Sequence, residues 1–173
     1  MQKLHLGCGD DVRQGYINID RFDLRAKGVI AGDVTDLGEF DDESVDEILT
    51  IALIEHLNYQ ELGTSLTEWF RVLKFGGYLQ TECPDMLDAA KRIVNEGLTD
   101  DVLFNIWGQY WRPWDKDWNN GSEILEGQFH KQGFTFDRIK DLAKNFKFIR
   151  VEQMDNTHKR YKVDGSLCVR WYK

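Results

Sequence analysis

The feature that most constrains the fold lies in the first twenty residues. Lys3-Leu4-His5-Leu6 reads as an apolar strand running into the turn Gly7-Cys8-Gly9, and Tyr16-Ile17-Asn18-Ile19-Asp20 reads as a second apolar strand ending on an acid. Strand, glycine turn, strand and acid form the front of a nucleoside-binding α/β sheet. Only residues 10–15 lie between the two strands, whereas a parallel crossover ordinarily takes a dozen residues or more. The crossover is therefore predicted to be nearly bare loop, its helix shortened to about one turn at most.

That shortening bears on which nucleoside fits. A dinucleotide site seats its pyrophosphate on the amino terminus of the crossover helix, where free N–H groups and the helix dipole favour an anion. Here the helix is all but missing, no third glycine follows, and the residues after Gly9 are Asp10 and Asp11, which repel phosphate. A nucleoside without phosphate fits better. S-adenosylmethionine, with a sulfonium cation, an amino group and a carboxylate, is one.

At 173 residues the chain is expected to form a single domain, residues 1–173. No apolar run approaches the roughly 18 residues of a membrane helix, and the chain opens on a strand, so neither a membrane anchor nor a signal peptide is expected. Cysteines 8, 83 and 168 are odd in number and widely spaced. They suggest no disulfide set and no metal pair; no metal site is expected, and the location is expected to be cytoplasmic. The net charge of −8 argues against a nucleic-acid partner, although the residues from Lys144 onward carry 8 basic against 3 acidic side chains. Such a basic tail is either a contact for an anionic acceptor or a solvated face.

Further strands are predicted at 29–31, 45–51 and 78–82. The apolar 45–51 run suggests a central parallel strand covered on both faces. Residues 58–73 read as a helix, with Asn58 and Glu61 as a capping pair and Leu62, Leu66, Trp69, Phe70 and Leu73 as its apolar stripe. It is expected to stop at Gly76-Gly77 in a left-handed turn. Helices follow at about 86–96 and 137–145, and an antiparallel pair at 148–154 and 167–172 closes the chain around a polar loop at 158–165. Residues 97–133 break the pattern. Trp107, Tyr110, Trp111, Trp114 and Trp118 crowd together there among glycines and asparagines, which reads as an irregular aromatic cover over the site.

These residues together resemble the class I S-adenosylmethionine-dependent methyltransferases, in particular their small type-11-like members. The motifs carrying the resemblance are Leu6-Gly7-Cys8-Gly9, Gly15-Tyr16-Ile17-Asn18-Ile19-Asp20, Gly32-Asp33-Val34, Ser44-Val45-Asp46, Glu55-His56-Leu57 and Arg71-Val72-Leu73-Lys74-Phe75-Gly76-Gly77. Phe75 departs from the proline usual at that position. The resemblance covers about residues 3–87, with a weaker echo at His130-Lys131-Gln132-Gly133-Phe134. It implies a Rossmann-like, doubly wound, mostly parallel seven-stranded sheet with an antiparallel last strand, and S-adenosylmethionine as cofactor.

Carried onto this chain, the resemblance assigns a cofactor site. Gly7 and Gly9 let backbone approach the methionine moiety, with Cys8 contributing main chain only. Asp20 accepts the ribose hydroxyls and Arg21 follows at the adenine edge. Asp33 and the Val34 N–H meet the adenine, while Thr50 and Ile51 border the amino-acid end. Methyl transfer needs alignment above all. If the acceptor is a hydroxyl, a base helps, and Glu55, His56 and His130 are the candidates. The expected activity is methyl transfer to oxygen or nitrogen of a small-molecule or glycan-like acceptor, which the tryptophans would stack against. The alternatives are a non-catalytic S-adenosylmethionine-binding module or partner subunit, and a nucleotide-dependent oxidoreductase, which the missing phosphate helix disfavours.

Overall fold

Between the first two strands the chain is loop, and one side chain holds it in place. The computed structural model describes residues 1–21, 28–108, 129–155 and 165–173. Within them lie β1 (Lys3–Leu6), β2 (Ile17–Asp20), β3 (Val29–Ala31), β4 (Val45–Ile51), a 3-10 turn (Ile54–His56), α1 (Tyr59–Val72), β5 (Leu73–Pro84), α2 (Met86–Glu96), α3 (Asp100–Trp107), α4 (Phe136–Asn145), β6 (Arg150–Met154) and β7 (Ser166–Tyr172). In the β1–β2 crossover no helix satisfies the backbone. Buried Asn18 of β2 does so instead. Its amide nitrogen donates to the carbonyls of Arg13 and Tyr16, both at 3.1 Å, and its oxygen accepts the Arg13 N–H at 2.9 Å.

The strands form one seven-stranded sheet in the order β3-β2-β1-β4-β5-β7-β6. All neighbours are parallel except β7, which runs antiparallel to both β5 and β6. This is the expected Rossmann-like sheet with its reversed last strand.

Register sorts the two faces. Ile17, Leu4, Ile48, Leu79, Trp171 and Val151 form one row across the sheet. That row packs on Leu62, Leu66, Trp69 and Val72 of α1 and on Ile139 and Ala143 of α4 in a single core. One residue along, every side chain points the other way. There the rows read Lys3, Glu47, Tyr78, Tyr172, Arg150 and Asn18, His5, Leu49, Gln80, Arg170, Glu152. This second face is mostly polar, and several of its groups pair laterally, although both ring nitrogens of buried His5 have no hydrogen-bond partner among the described residues. Lys3 pairs with Glu47 at 2.5 Å and the Tyr16 hydroxyl donates to the same carboxylate. Arg170 donates to Gln80 at 2.9 Å and lies 4.2 Å over the Tyr78 ring.

α1 begins as predicted. The Asn58 side chain accepts from the N–H groups of Gln60 and Glu61, each at 2.9 Å, while the Glu61 carboxylate accepts the Asn58 N–H at 2.6 Å. On its buried side the Trp69 indole donates to the Val34 carbonyl at 2.9 Å, tying the loop after β3 to the helix.

Two boundaries differ from expectation. The helix does not run to the glycine pair: it ends at Val72, Leu73 is already extended, and β5 starts there. Gly76 is left-handed (φ 81°), but inside a strand, where its N–H donates to the Lys173 carbonyl at 3.0 Å and the Lys173 N–H donates to Gly77 at 3.1 Å. Pairing with the chain end, remote in sequence, overrides the local stop signal. The segment 97–133, read as irregular cover, opens with a helix: Thr99 caps α3, and left-handed Gly97 and Gly108 bracket it. Trp107 ends α3 half exposed; Tyr110, Trp111, Trp114, Trp118 and loop residues 158–164 lie outside the described residues.

Asn18→Ala removes three hydrogen bonds and orphans the crossover backbone. It should cost about 1–3 kcal/mol of stability, read by urea denaturation, with the largest loss of amide-exchange protection at residues 10–16.

Candidate active site

The carboxyl ends of β1, β2 and β3 meet in a cradle made mostly of backbone. Gly7 and Gly9 are both left-handed, at φ 63° and 51°. They are held for different reasons. A Cβ on Gly7 would come within 2.6 Å of Leu53 Cδ1, so that side chain would have to shift, whereas a Cβ on Gly9 would meet nothing within 4 Å among the described residues. The space at Gly9 is open. Asp20 lies beside it, 8% exposed, and its Oδ2 accepts the Gly9 N–H at 2.8 Å. The Cys8 N–H donates to Ile19 at 3.2 Å. Burial pushes the Cys8 thiol up to about 11, with Asp20 adding to the shift, so it stays protonated and inert at neutral pH.

The third strand closes the cradle. The Gly32 N–H donates to the Asp20 carbonyl at 2.9 Å. Asp33 Oδ1 accepts both the N–H and the hydroxyl of Thr35 at 2.8 Å, an Asx turn that presents Asp33 at the surface next to Asp20's strand end. The Val34 side chain is in the core and Arg21 is exposed. Thr50 is buried, with its hydroxyl unpartnered among the described residues, and Ile51 is buried beside it. At those two positions main chain, not side chain, borders the strand end.

A second cluster starts where Leu53, packed on Gly7, leads into the 3-10 turn. Glu55 on that turn is 2% exposed, and among the described residues neither carboxyl oxygen has a hydrogen-bond partner. Burial raises its carboxyl to about 8. His56 follows, and His130 is brought to it from far along the chain, the ring centroids 5.0 Å apart. Burial lowers both imidazoles, His56 to about 4, with His130 and, more weakly, Lys131 and Arg21 contributing. Both rings are neutral at pH 7. The Lys131 and Gln132 N–H groups donate to the Glu55 carbonyl at 2.7 and 3.2 Å, which fastens the His130 segment to the turn.

The sequence-predicted residues thus fall into two groups with Leu53 between them: Gly7, Cys8, Gly9, Asp20, Arg21, Asp33 and Val34 around the cradle, and Glu55, His56 and His130 beyond Leu53. Sequence reading missed Leu53, an apolar residue with no motif of its own. It also missed Asn105, buried on α3, whose carbonyl lies 3.0 Å from His130 Nδ1. No local pattern announces either, nor the left-handed Ala52 (φ 49°) that bends the chain into Leu53.

Residues 4–81 match the family model described as a methyltransferase domain. No curated protein matches the chain in sequence. Among solved structures, a SAM-dependent methyltransferase from Archaeoglobus fulgidus superposes with a TM-score of 0.64 at 13% identity, covering 99% of this chain and 86% of its own. A SAM-dependent methyltransferase from Methanosarcina mazei does so at 0.62 and 17%, covering 99% and 92%. The 1,6-didemethyltoxoflavin N1-methyltransferase of Burkholderia thailandensis, solved with its substrate and S-adenosylhomocysteine, scores 0.59 at 13%, covering 99% and 70%. At such identities the likeness is one of fold.

Alanine at the two glycines should act differently. Gly7→Ala adds a clash, about 1–3 kcal/mol, to left-handed strain of about 1–2 kcal/mol, and should show a lowered urea midpoint. Gly9→Ala bears only the strain, and should fold while losing at least about tenfold in affinity for S-adenosylhomocysteine by calorimetry, since its methyl enters the open space.

Proposed function

We propose that this chain acts as a class I S-adenosylmethionine-dependent methyltransferase, holding its cofactor's adenosine across the ends of β1, β2 and β3 and passing the methyl group to oxygen or nitrogen of a small-molecule or glycan-like acceptor. The observation that carries this reading is the open space above Gly9, walled by a buried carboxylate. Asp20, buried at a strand end, suits ribose hydroxyls, which donate where a carboxylate accepts. Asp33 and the Val34 N–H offer an acceptor and a donor for the adenine edge, with Arg21 beside them. The main chain of Gly7, Cys8, Gly9, Thr50 and Ile51 borders the amino-acid end.

When bound, S-adenosylmethionine supplies an electrophilic methyl on sulfur, moved by in-line displacement. This chain's own contribution is alignment and proton handling. Leu53 joins the glycine turn to the turn bearing Glu55 and His56, so the acceptor end is set relative to the cofactor end by a packed contact. His56 and His130, both neutral, suit removal of a proton from an acceptor hydroxyl. Trp107 offers an exposed ring at the same end for a flat or sugar-like acceptor. Absence of a crossover helix and the acids Asp10 and Asp11 argue against a phosphorylated cofactor.

No helix among the described residues is long and apolar enough to cross a membrane. The three cysteines are buried and unpaired, which fits a reducing, cytoplasmic setting.

Asp20→Asn keeps the shape and an acceptor for the Gly9 N–H while removing charge. It should weaken S-adenosylhomocysteine binding by about 1.5–3 kcal/mol, the worth of hydrogen bonds to a charged group, measured by calorimetry. Unchanged affinity, or tighter binding of NAD than of S-adenosylhomocysteine by the parent protein, defeats the reading.

A further inference from the structure

We propose that Glu55, His56 and His130 form a binding site for one zinc-like divalent metal ion. Each offers a ligand atom, and those three atoms lie within 4.8 Å of one another. Around a cation with bonds of about 2.0–2.1 Å, tetrahedral ligands stand roughly 3.4 Å apart. Small rotations of three side chains close that gap.

Three further observations point to a ligand. First, the Glu55 carboxyl is sealed from solvent, and among the described residues neither oxygen has a hydrogen-bond partner. Burial favours its protonated form, and a buried polar group left without a partner is costly, so a cation that displaces the proton would supply the missing partner. Second, each imidazole has one ring nitrogen taken up by a backbone carbonyl. His56 Nδ1 lies 3.2 Å from the Phe129 carbonyl and His130 Nδ1 lies 3.0 Å from the Asn105 carbonyl. A carbonyl only accepts, so each Nδ1 carries the proton and each Nε2 presents its lone pair. This is the outer hydrogen bond that fixes tautomer and direction in a ligating histidine. Third, the pieces are held together without help from the ligand atoms. The Lys131 and Gln132 N–H groups clasp the Glu55 carbonyl, and the Gln132 amide donates to Leu57 at 3.0 Å. The backbone is thus built before any ion arrives.

Two neutral imidazoles and one carboxylate suit zinc and its first-row neighbours; magnesium and calcium prefer all-oxygen sets. Three protein ligands leave a coordination position open, as in catalytic zinc sites. If the methyl acceptor is a hydroxyl, a role that rests on the reading of the preceding subsection, an ion held here would bind its oxygen and ease loss of its proton to water, His56 and His130 then serving as ligands in place of bases. Transfer of the methyl group to that oxygen would give a methyl ether and release S-adenosylhomocysteine.

The test uses the full chain, stripped with a chelator and dialysed. Calorimetric titration with zinc chloride should give one equivalent per chain, and magnesium chloride should give none. Cobalt chloride should produce visible absorption bands that zinc abolishes. His130→Ala and Glu55→Gln should each weaken zinc by at least the roughly 10–100-fold that losing an outer partner costs a metal site. S-adenosylhomocysteine binding is titrated alongside as a check that each variant is folded with its cradle intact. Zinc that fails to bind, or that binds equally to the parent and to a folded His130→Ala, overturns the proposal. Preserved S-adenosylhomocysteine binding in that case leaves the methyl-transfer reading standing, and its loss in the parent would sink that reading separately.

Discussion

The buried amide of Asn18 is the constraint on which the front of this molecule depends. A parallel strand pair must return its chain across the length of the sheet, and a helix usually satisfies the returning backbone as it goes. Here a single side chain does that work, bonding both carbonyl and amide groups of the crossover. With the loop pinned there, β1 and β2 stay in register. Asp20 then arrives at the level of Gly9, and the cradle exists. The same economy removes the helix dipole that would have held a phosphate.

Much of the fold was legible because the signals were local. The strand and helix starts followed from apolar alternation, from the Asn58 and Glu61 caps, and from glycines that had to turn. Gly7, Gly9 and Asp20 were legible for the same reason: a backbone that must bend and a carboxylate that must sit at a strand end leave marks within twenty residues. The misread parts were set by distant partners. The stop at Gly76-Gly77 looked like a helix terminus, but pairing with Lys173 made it strand. The opening of the 97–133 segment looked irregular because its tryptophans and glycines drew attention from the Thr99 cap that starts α3. Glu55 and His56 were visible as a pair. Their depth of burial, and the arrival of His130 with its Asn105 partner, depend on chain segments no spacing rule connects.

The sheet itself shows how register divides labour. One row of six apolar side chains meets α1 and α4 and makes the core. The rows behind it are mostly polar, and their charges have neighbours across the strands: Lys3 against Glu47, Arg170 against Gln80 and over Tyr78, Arg150 over Tyr172. A slip of one residue would bring lysine, glutamate and arginine onto the helices. Strand alignment is thereby specified twice, once by attraction on the core face and once by the cost of misplacing charge.

Leu53 has a consequence of its own. Its side chain fills the space that any larger residue at position 7 would need, and two residues later the chain delivers Glu55. The glycine turn and the 3-10 turn are therefore neighbours through this half-buried leucine, and a bulkier residue at position 7 would be met first by a side chain that leads straight to the acid.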